Sequence, residues 1–271
     1  MKTWFITGIS RGLGKALAET ALARGDKVIG TTRDGTSDIA GVTVLPLEMT
    51  DAKAIAETIE TAFTQAGRID VIVNNAGYGL LGAVEDAAEE DVARLFAVDL
   101  MGPLHLIRAA LPHLRRQKSG HIVNITSIAG RAPGAASAFY AAAKFGVEGF
   151  SQSLAQEVAP LGIKVTSVAP GAFRTDFLSS HSIRKSAVKA EGYDQTAGKM
   201  LGAFAGMEGK QLGDPVRAAE AILKLADDPA PPVQLLLGSD AHRRFNQRLQ
   251  AMEAEMSTWE QVTLGTDYPD A

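Results

Sequence analysis

The chain has 271 residues, 46% of them hydrophobic, enough for one large core and too few for two ordinary enzyme domains with a linker. A formal net charge of -4, with lysines and arginines scattered rather than striped, argues against a nucleic-acid partner. The absence of cysteine excludes disulfides and thiolate chemistry, and His105, His113, His121, His181 and His242 stand too far apart in sequence to suggest a metal site.

Strand-like residues begin at Trp4, so no leader is expected. No apolar run approaches the length of a membrane span, so the expectation is a cytoplasmic protein without membrane contact. Short apolar runs then alternate with longer segments of helical period. The strand cores are Trp4 to Thr7, Val28 to Thr32, Val42 to Leu47, Asp70 to Asn74, His121 to Thr126, Lys164 to Ala169 and Val233 to Leu237. Between the first two, Leu13 to Arg24 reads as a helix closed by Gly25; Asp51 to Ala66 repeats the pattern with Thr50 or Asp51 as N-cap and Gly67 as terminator. Crossovers of that length join parallel strands, so the fold class is α/β: a Rossmann-like, doubly wound parallel sheet in a single domain.

The first strand runs into Gly8-Ile9-Ser10-Arg11-Gly12-Leu13-Gly14. Glycines there let the backbone approach a pyrophosphate at the positive end of the next helix. The spacing is G-x-x-x-G-x-G, and a tight structural turn or the first turn of a methyltransferase would also carry such glycines. The second strand ends Thr31-Thr32-Arg33-Asp34. Thr32 stands where a ribose-binding acid would be expected in an NAD enzyme, and Arg33 with Arg11 offers a guanidinium pair for the 2′-phosphate of NADP(H). The other reading leaves both arginines in solvent and makes Asp34 the ribose acid, which would allow NAD(H).

Further along, Tyr140 and Lys144 have the i, i+4 spacing of one helix face, and Ser127 follows the strand His121 to Thr126. An ammonium beside a tyrosine, together with the positive charge of an oxidised nicotinamide, favours phenolate and brings the phenol toward neutrality. The Ser127 hydroxyl at the carboxyl end of a parallel strand is placed to hydrogen-bond a substrate oxygen, or else to cap a turn. Two stretches break the alternation. Residues 177 to 212 carry Phe177, Leu178, Ile183, Val188, Met200, Leu201, Phe204 and Met207 among glycines, which suggests a substrate lid opposite a wall of Tyr78, Leu80, Leu81 and Phe139. Two ordinary helices packed on the core would show a similar pattern. The tail near 240 to 259 reads as a helix that caps the site, joins subunits or covers the sheet edge.

Thr7-Gly8-x-x-x-Gly12-x-Gly14, Asn74-Asn75-Ala76-Gly77, Ser127, Tyr140-x-x-x-Lys144 and Pro170-Gly171 occur in the order and at spacings that resemble the short-chain dehydrogenase/reductase family. The resemblance spans about residues 3 to 176, with a weaker match near 233 to 238. It implies seven parallel strands, hydride transfer through a nicotinamide, a small carbonyl or alcohol substrate, and a homodimer or homotetramer. By that resemblance Ser127 positions the carbonyl, Tyr140 exchanges the proton, and Lys144 binds the nicotinamide ribose while lowering the tyrosine. Asn75, Ala76 and Gly77 line the adenosine side, Thr175 after Pro170-Gly171 holds the carboxamide, and Glu48 with Met49 contacts adenine. Asp99 stands where the family usually has an asparagine supporting a proton relay; either it keeps that task, pairing with Lys144, or it is a solvated helix residue. The expected activity is NADP(H)-dependent carbonyl reduction or alcohol oxidation. The alternatives are an NAD-dependent steroid- or acyl-type dehydrogenase and a catalytically silent NADP(H)-binding sensor.

Overall fold

The computed structural model describes residues 1–179, 182–186 and 190–268. Seven strands form one all-parallel sheet: β1 Thr3–Thr7, β2 Lys27–Thr32, β3 Thr43–Pro46, β4 Val71–Asn74, β6 Gly120–Ile125, β7 Ile163–Pro170 and β9 Gln234–Leu237, in the order β3-β2-β1-β4-β6-β7-β9. These strands lie within about one residue of the sequence expectation at most ends, because continuous apolar runs are what a sheet buried on both faces requires. A second sheet was not anticipated: β5 Gly79–Leu81 pairs in parallel with β8 Ile183–Lys185.

Strand pleating sends successive side chains to opposite faces, and the core divides accordingly. Phe5 joins Ile55, Ile59 and Phe63 of α2 (Ala52–Ala66), Leu106 and Leu114 of α4 (Gly102–Gln117), and Leu154 of α5 (Ala138–Val158). Trp4 and Ile6 join Leu17 and Ala21 of α1 (Gly12–Ala23) and Ile222 and Leu223 of α7 (Pro215–Asp227) on the other face. The caps are those the sequence proposes. Asp51 accepts from the amides of Lys53 and Ala54, and Gly25 and Gly67 take φ of +88° and +67°.

The remaining helices are α3 Glu89–Phe96, α6 Lys199–Met207 and α8 Ser239–Leu264. A π-helical segment, Ala97–Met101, joins α3 to α4. The whole run 89–117 has the length and apolar content of a membrane span, contrary to the sequence reading. Its apolar side is nevertheless spent on the core through Leu95, Leu106, Ile107, Ala110 and Leu114. The strand order reverses between β1 and β4, and a cleft beyond the carboxyl ends of the strands is expected at such a point.

Candidate active site

A cavity of about 1040 Å³ opens there. Its walls include Gly8, Ser10, Arg11, Gly12 and Leu13 from the turn into α1, Thr32 and Arg33 at the end of β2, and Glu48 and Met49 after β3. Asn75, Ala76 and Gly77 follow β4, Pro170 ends β7 and Thr175 follows it, and Ser127, Tyr140 and Lys144 share the same wall. Two of the residues singled out in the sequence, Gly14 and Asp99, stand behind this surface.

The glycine turn is a cradle in which side chains have no room. Gly8 takes φ of +72°, and a Cβ on it would stand 3.0 Å from the Ala76 Cα; Gly12 takes φ of +60°. A Cβ on Gly14 would collide with the Asn75 carboxamide, which is pinned by its Nδ2 donating to the carbonyls of Thr7 and Gly8 at 2.9 and 3.0 Å. The buried Thr7 hydroxyl accepts from the amides of Asn75 and Ala76, both at 3.0 Å, and so ties the ends of β1 and β4 together. The arrangement leaves the start of α1 open to a phosphate, the donor geometry a dinucleotide needs.

At the end of β2, Arg33 is exposed on the cavity wall, whereas Asp34 is outside the lining and turned into its own loop. Asp34 Oδ1 accepts from the Thr32 hydroxyl at 3.0 Å and the Thr36 amide at 3.1 Å, and these bonds hold its carboxyl below the usual range. Glu48 reaches Arg94 at 3.4 Å beside the buried Met49.

Tyr140 and Lys144 share the inner face of α5, with the ammonium 5.7 Å from the ring centre. Ser127 caps the short 3-10 turn Ile128–Gly130 by accepting from the Ala129 amide at 3.1 Å, and it also lines the cavity with Tyr140. Its capping and site-facing readings therefore hold together. Behind them Asp99 is completely buried, which overturns the reading of a solvated helix residue. The π-helical segment turns its carboxylate inward: Oδ2 meets Lys144 Nζ at 3.1 Å, and Oδ1 accepts from the Tyr78 amide at 3.0 Å. Gly77 makes space for this pair, since a Cβ there would stand 2.8 Å from Asp99 Oδ2 and 3.3 Å from Lys144 Nζ.

In the protein alone, burial and the Lys144 charge act on the phenol in opposite directions. Burial pushes the Tyr140 phenol above its ordinary value; Lys144 and the Ser127 hydroxyl oppose this, while Asp99 adds to it. The ammonium alone does not bring the phenol down, because it is buried with the phenol and its charge is largely answered by Asp99. Burial pulls Lys144 down, but Asp99 and Tyr140 more than offset it and keep the ammonium protonated. Asp99 itself is pushed up by burial against the pull of Lys144 and the Tyr78 amide.

Comparison with known proteins agrees with this geometry. The family model for short chain dehydrogenases matches residues 2–185. The chain belongs to the short-chain dehydrogenase family. It is 38% identical to Oxidoreductase BOA17 of Botryotinia fuckeliana, over 98% of this chain and 99% of that one. A short-chain dehydrogenase from Streptomyces avermitilis superposes with a TM-score of 0.91 at 38% identity, covering 98% of each chain. A metagenomic short-chain oxidoreductase in complex with NADP superposes with a TM-score of 0.68 at 28% identity, covering 87% of this chain and 96% of that one. The chain is therefore an oxidoreductase acting on carbonyl or alcohol groups, with the Rossmann-like sheet of that family.

Opposite the cradle, this dehydrogenase builds the rest of its cavity from the segment 177–212. Its described residues are not a pair of packed helices. It contains the end of the 3-10 turn Asp176–Leu178, β8, a π-helical turn Asp194–Gly198 and α6. Phe177, Leu178, Ile183, Met200, Phe204 and Met207 line the cavity; Leu201 packs instead near Ala83 and Ala136, and Val188 lies outside the described residues. On the facing wall Tyr78 and Leu81 line the cavity, whereas Leu80 and Phe139 are packed behind it with Leu95 and Tyr140, a correction to the expected wall.

Four polar lining positions were missed as such in the sequence. The Tyr78 hydroxyl and both side-chain polar atoms of Gln211 are buried with no hydrogen-bond partner among the described residues. Asp240 and Arg244, at the start of α8, reach the same cavity; Asp240 Oδ2 accepts from the Ala172 amide at 2.8 Å. The place of Asp240 just past the carboxyl end of β9 is the one signal that would have found it.

Proposed function

We propose that the protein is an NADP(H)-dependent carbonyl reductase or alcohol dehydrogenase acting on a small, mostly apolar substrate. The observation that carries this reading is one cavity with the Ser127, Tyr140 and Lys144 cluster on its wall and Arg33 on its rim, where Asp34 is turned away. The cradle of Gly8, Gly12 and Gly14 fits a pyrophosphate, Arg33 with Arg11 fits a 2′-phosphate, Asn75, Ala76 and Gly77 fit the adenosine side, and Lys144 and Thr175 fit the nicotinamide half. When bound, the nicotinamide supplies or accepts the hydride.

The chain's own residues handle the oxygen and its proton. The Ser127 hydroxyl donates to the substrate oxygen and orients it. In reduction the Tyr140 phenol gives its proton to that oxygen as the carbon receives hydride; in oxidation the phenolate takes it back. A phenol raised by burial is held protonated, the state that reduction needs. Asp99 keeps Lys144 protonated and in place beneath the phenol. Phe177, Ile183, Met200 and Phe204 exclude water from the substrate body as a lid over the cavity, and the unpartnered Gln211 amide and Tyr78 hydroxyl offer it two fixed polar points.

The test is absorbance at 340 nm with NADPH and NADH against a panel of ketones. NADPH should be preferred, and Arg33→Ala should weaken NADPH by about 10- to 100-fold, the worth of a charge-assisted contact, while leaving NADH nearly unchanged. Equal losses for both cofactors would remove Arg33 as the phosphate reader. No oxidation of either cofactor with any ketone, together with tight NADPH binding, would favour the sensor.

A further inference from the structure

The helix α8 begins on the protein and leaves it. Ala241 is buried, Phe245 packs beside Leu236 on the cluster of Ile128 and Ala132, and Arg244 Nη2 donates to the Ala132 carbonyl at 2.7 Å. From Leu249 to Leu264 every residue is exposed. That stretch spans about 24 Å, and a helix of such length without tertiary packing is marginal in water.

Its sequence is written for a partner. Phe245, Leu249, Met252, Met256 and Trp259 follow one another at spacings of four, three, four and three, the a/d period of a coiled-coil seam. Met256 is 71% and Trp259 62% exposed, so the seam beyond Phe245 is uncovered within the chain. The charges divide by halves: Arg243, Arg244 and Arg248 precede the exposed stretch, and Glu253, Glu255 and Glu260 lie within it, with no lysine or arginine from 249 to 264.

We propose that this seam is an interface with a second copy of this chain, the two α8 helices packed antiparallel about a twofold axis near residues 250 and 251. In that alignment Leu249 of each copy packs on Met252 of the other, and Phe245 on Met256. Arg248 and Glu255, which share one edge of the seam and already approach each other at 3.5 Å along the helix, face Glu255 and Arg248 of the second copy. A parallel alignment would instead set Glu255 against Glu260, and would align rather than oppose the helix dipoles. A patch complementary to itself in this way is what a closed twofold contact requires. Glutamates without basic residues along the exposed half disfavour an anionic membrane surface as the occupant.

The measurement is molar mass by light scattering on the full chain at micromolar concentration. Met256→Glu/Trp259→Glu changes only exposed positions, so circular dichroism should report an intact fold while the mass halves, whatever other faces associate. Glu255→Arg should also halve it by setting arginine against arginine, and Arg248→Glu/Glu255→Arg should restore it. A wild-type monomer, or a mass unchanged in Met256→Glu/Trp259→Glu, would overturn the proposal. So would pelleting with phosphatidylcholine vesicles that the same variant abolishes.

Discussion

Lys144 and Glu148 stand one turn apart on α5, and each meets an opposite charge inside the protein. Around Glu148 every polar atom is answered. Arg131 Nε donates to Oε1 at 2.9 Å, the Thr126 hydroxyl donates to the same oxygen, and Ser167 Oγ and Gln234 Nε2 donate to Oε2 at 2.7 and 3.0 Å. Arg131 also bonds the Ser167 carbonyl at 3.0 Å, so the network joins α5, the end of β6, β7 and β9, and of its residues only Thr126 lines the cavity. The Lys144–Asp99 pair is equally buried but sparsely held, and its ammonium lies on the cavity wall under the Tyr140 ring. A buried pair in a complete network fixes structure, whereas one that leaves donors toward a cleft can answer a charge that appears during reaction.

Four substitutions sharpen that contrast. Tyr140→Phe removes the proton exchange and should lower kcat by about two to four orders of magnitude with NADPH affinity nearly unchanged. Fluorescence titration of NADPH beside the rate assay checks both halves. Glu148→Gln leaves Arg131 buried without its counter-charge and should cost about 3 to 5 kcal/mol of stability in urea unfolding. The pH profile of the surviving folded enzyme should match the wild type. Gly77→Ala pushes a methyl group between Asp99 and Lys144 and should reduce kcat by roughly 10- to 100-fold, because small displacements of a catalytic group are costly, with little change in unfolding midpoint. The mildest is Asp99→Asn, which keeps shape and removes charge; its signature is a shift along the pH axis.

The sheet was legible because its signal is local: Trp4 to Thr7 is an apolar run ended by Gly8, His121 to Thr126 is one opened by Gly120, and Asp51 is an N-cap readable from its own neighbours. The cavity-lining residues at the strand ends were legible because glycines and small residues recur there, where the fold places its cleft. β5 and β8 were not, since three-residue strands 104 positions apart carry no period of their own. Nor was the Glu148 network: Arg131, Ser167 and Gln234 come from three elements, and only packing brings them together. The share of burial in the Tyr140 shift was hidden for a related reason. The Tyr-x-x-x-Lys spacing shows the ammonium but neither the depth of burial nor the Asp99 carboxylate behind it.

The contrast between the two pairs rests most directly on the pH dependence of alcohol oxidation by wild type and Asp99→Asn. Oxidation needs the Tyr140 phenolate, so kcat/KM rises as pH passes the apparent phenol pKa. Asp99 raises that pKa through its charge, and replacing it with asparagine removes the contribution. The rising limb should therefore move to lower pH in Asp99→Asn, and the loss of reductase activity at high pH should move down with it, while Glu148→Gln leaves both limbs where they are. A limb that stays in place or moves to higher pH in Asp99→Asn would contradict the account.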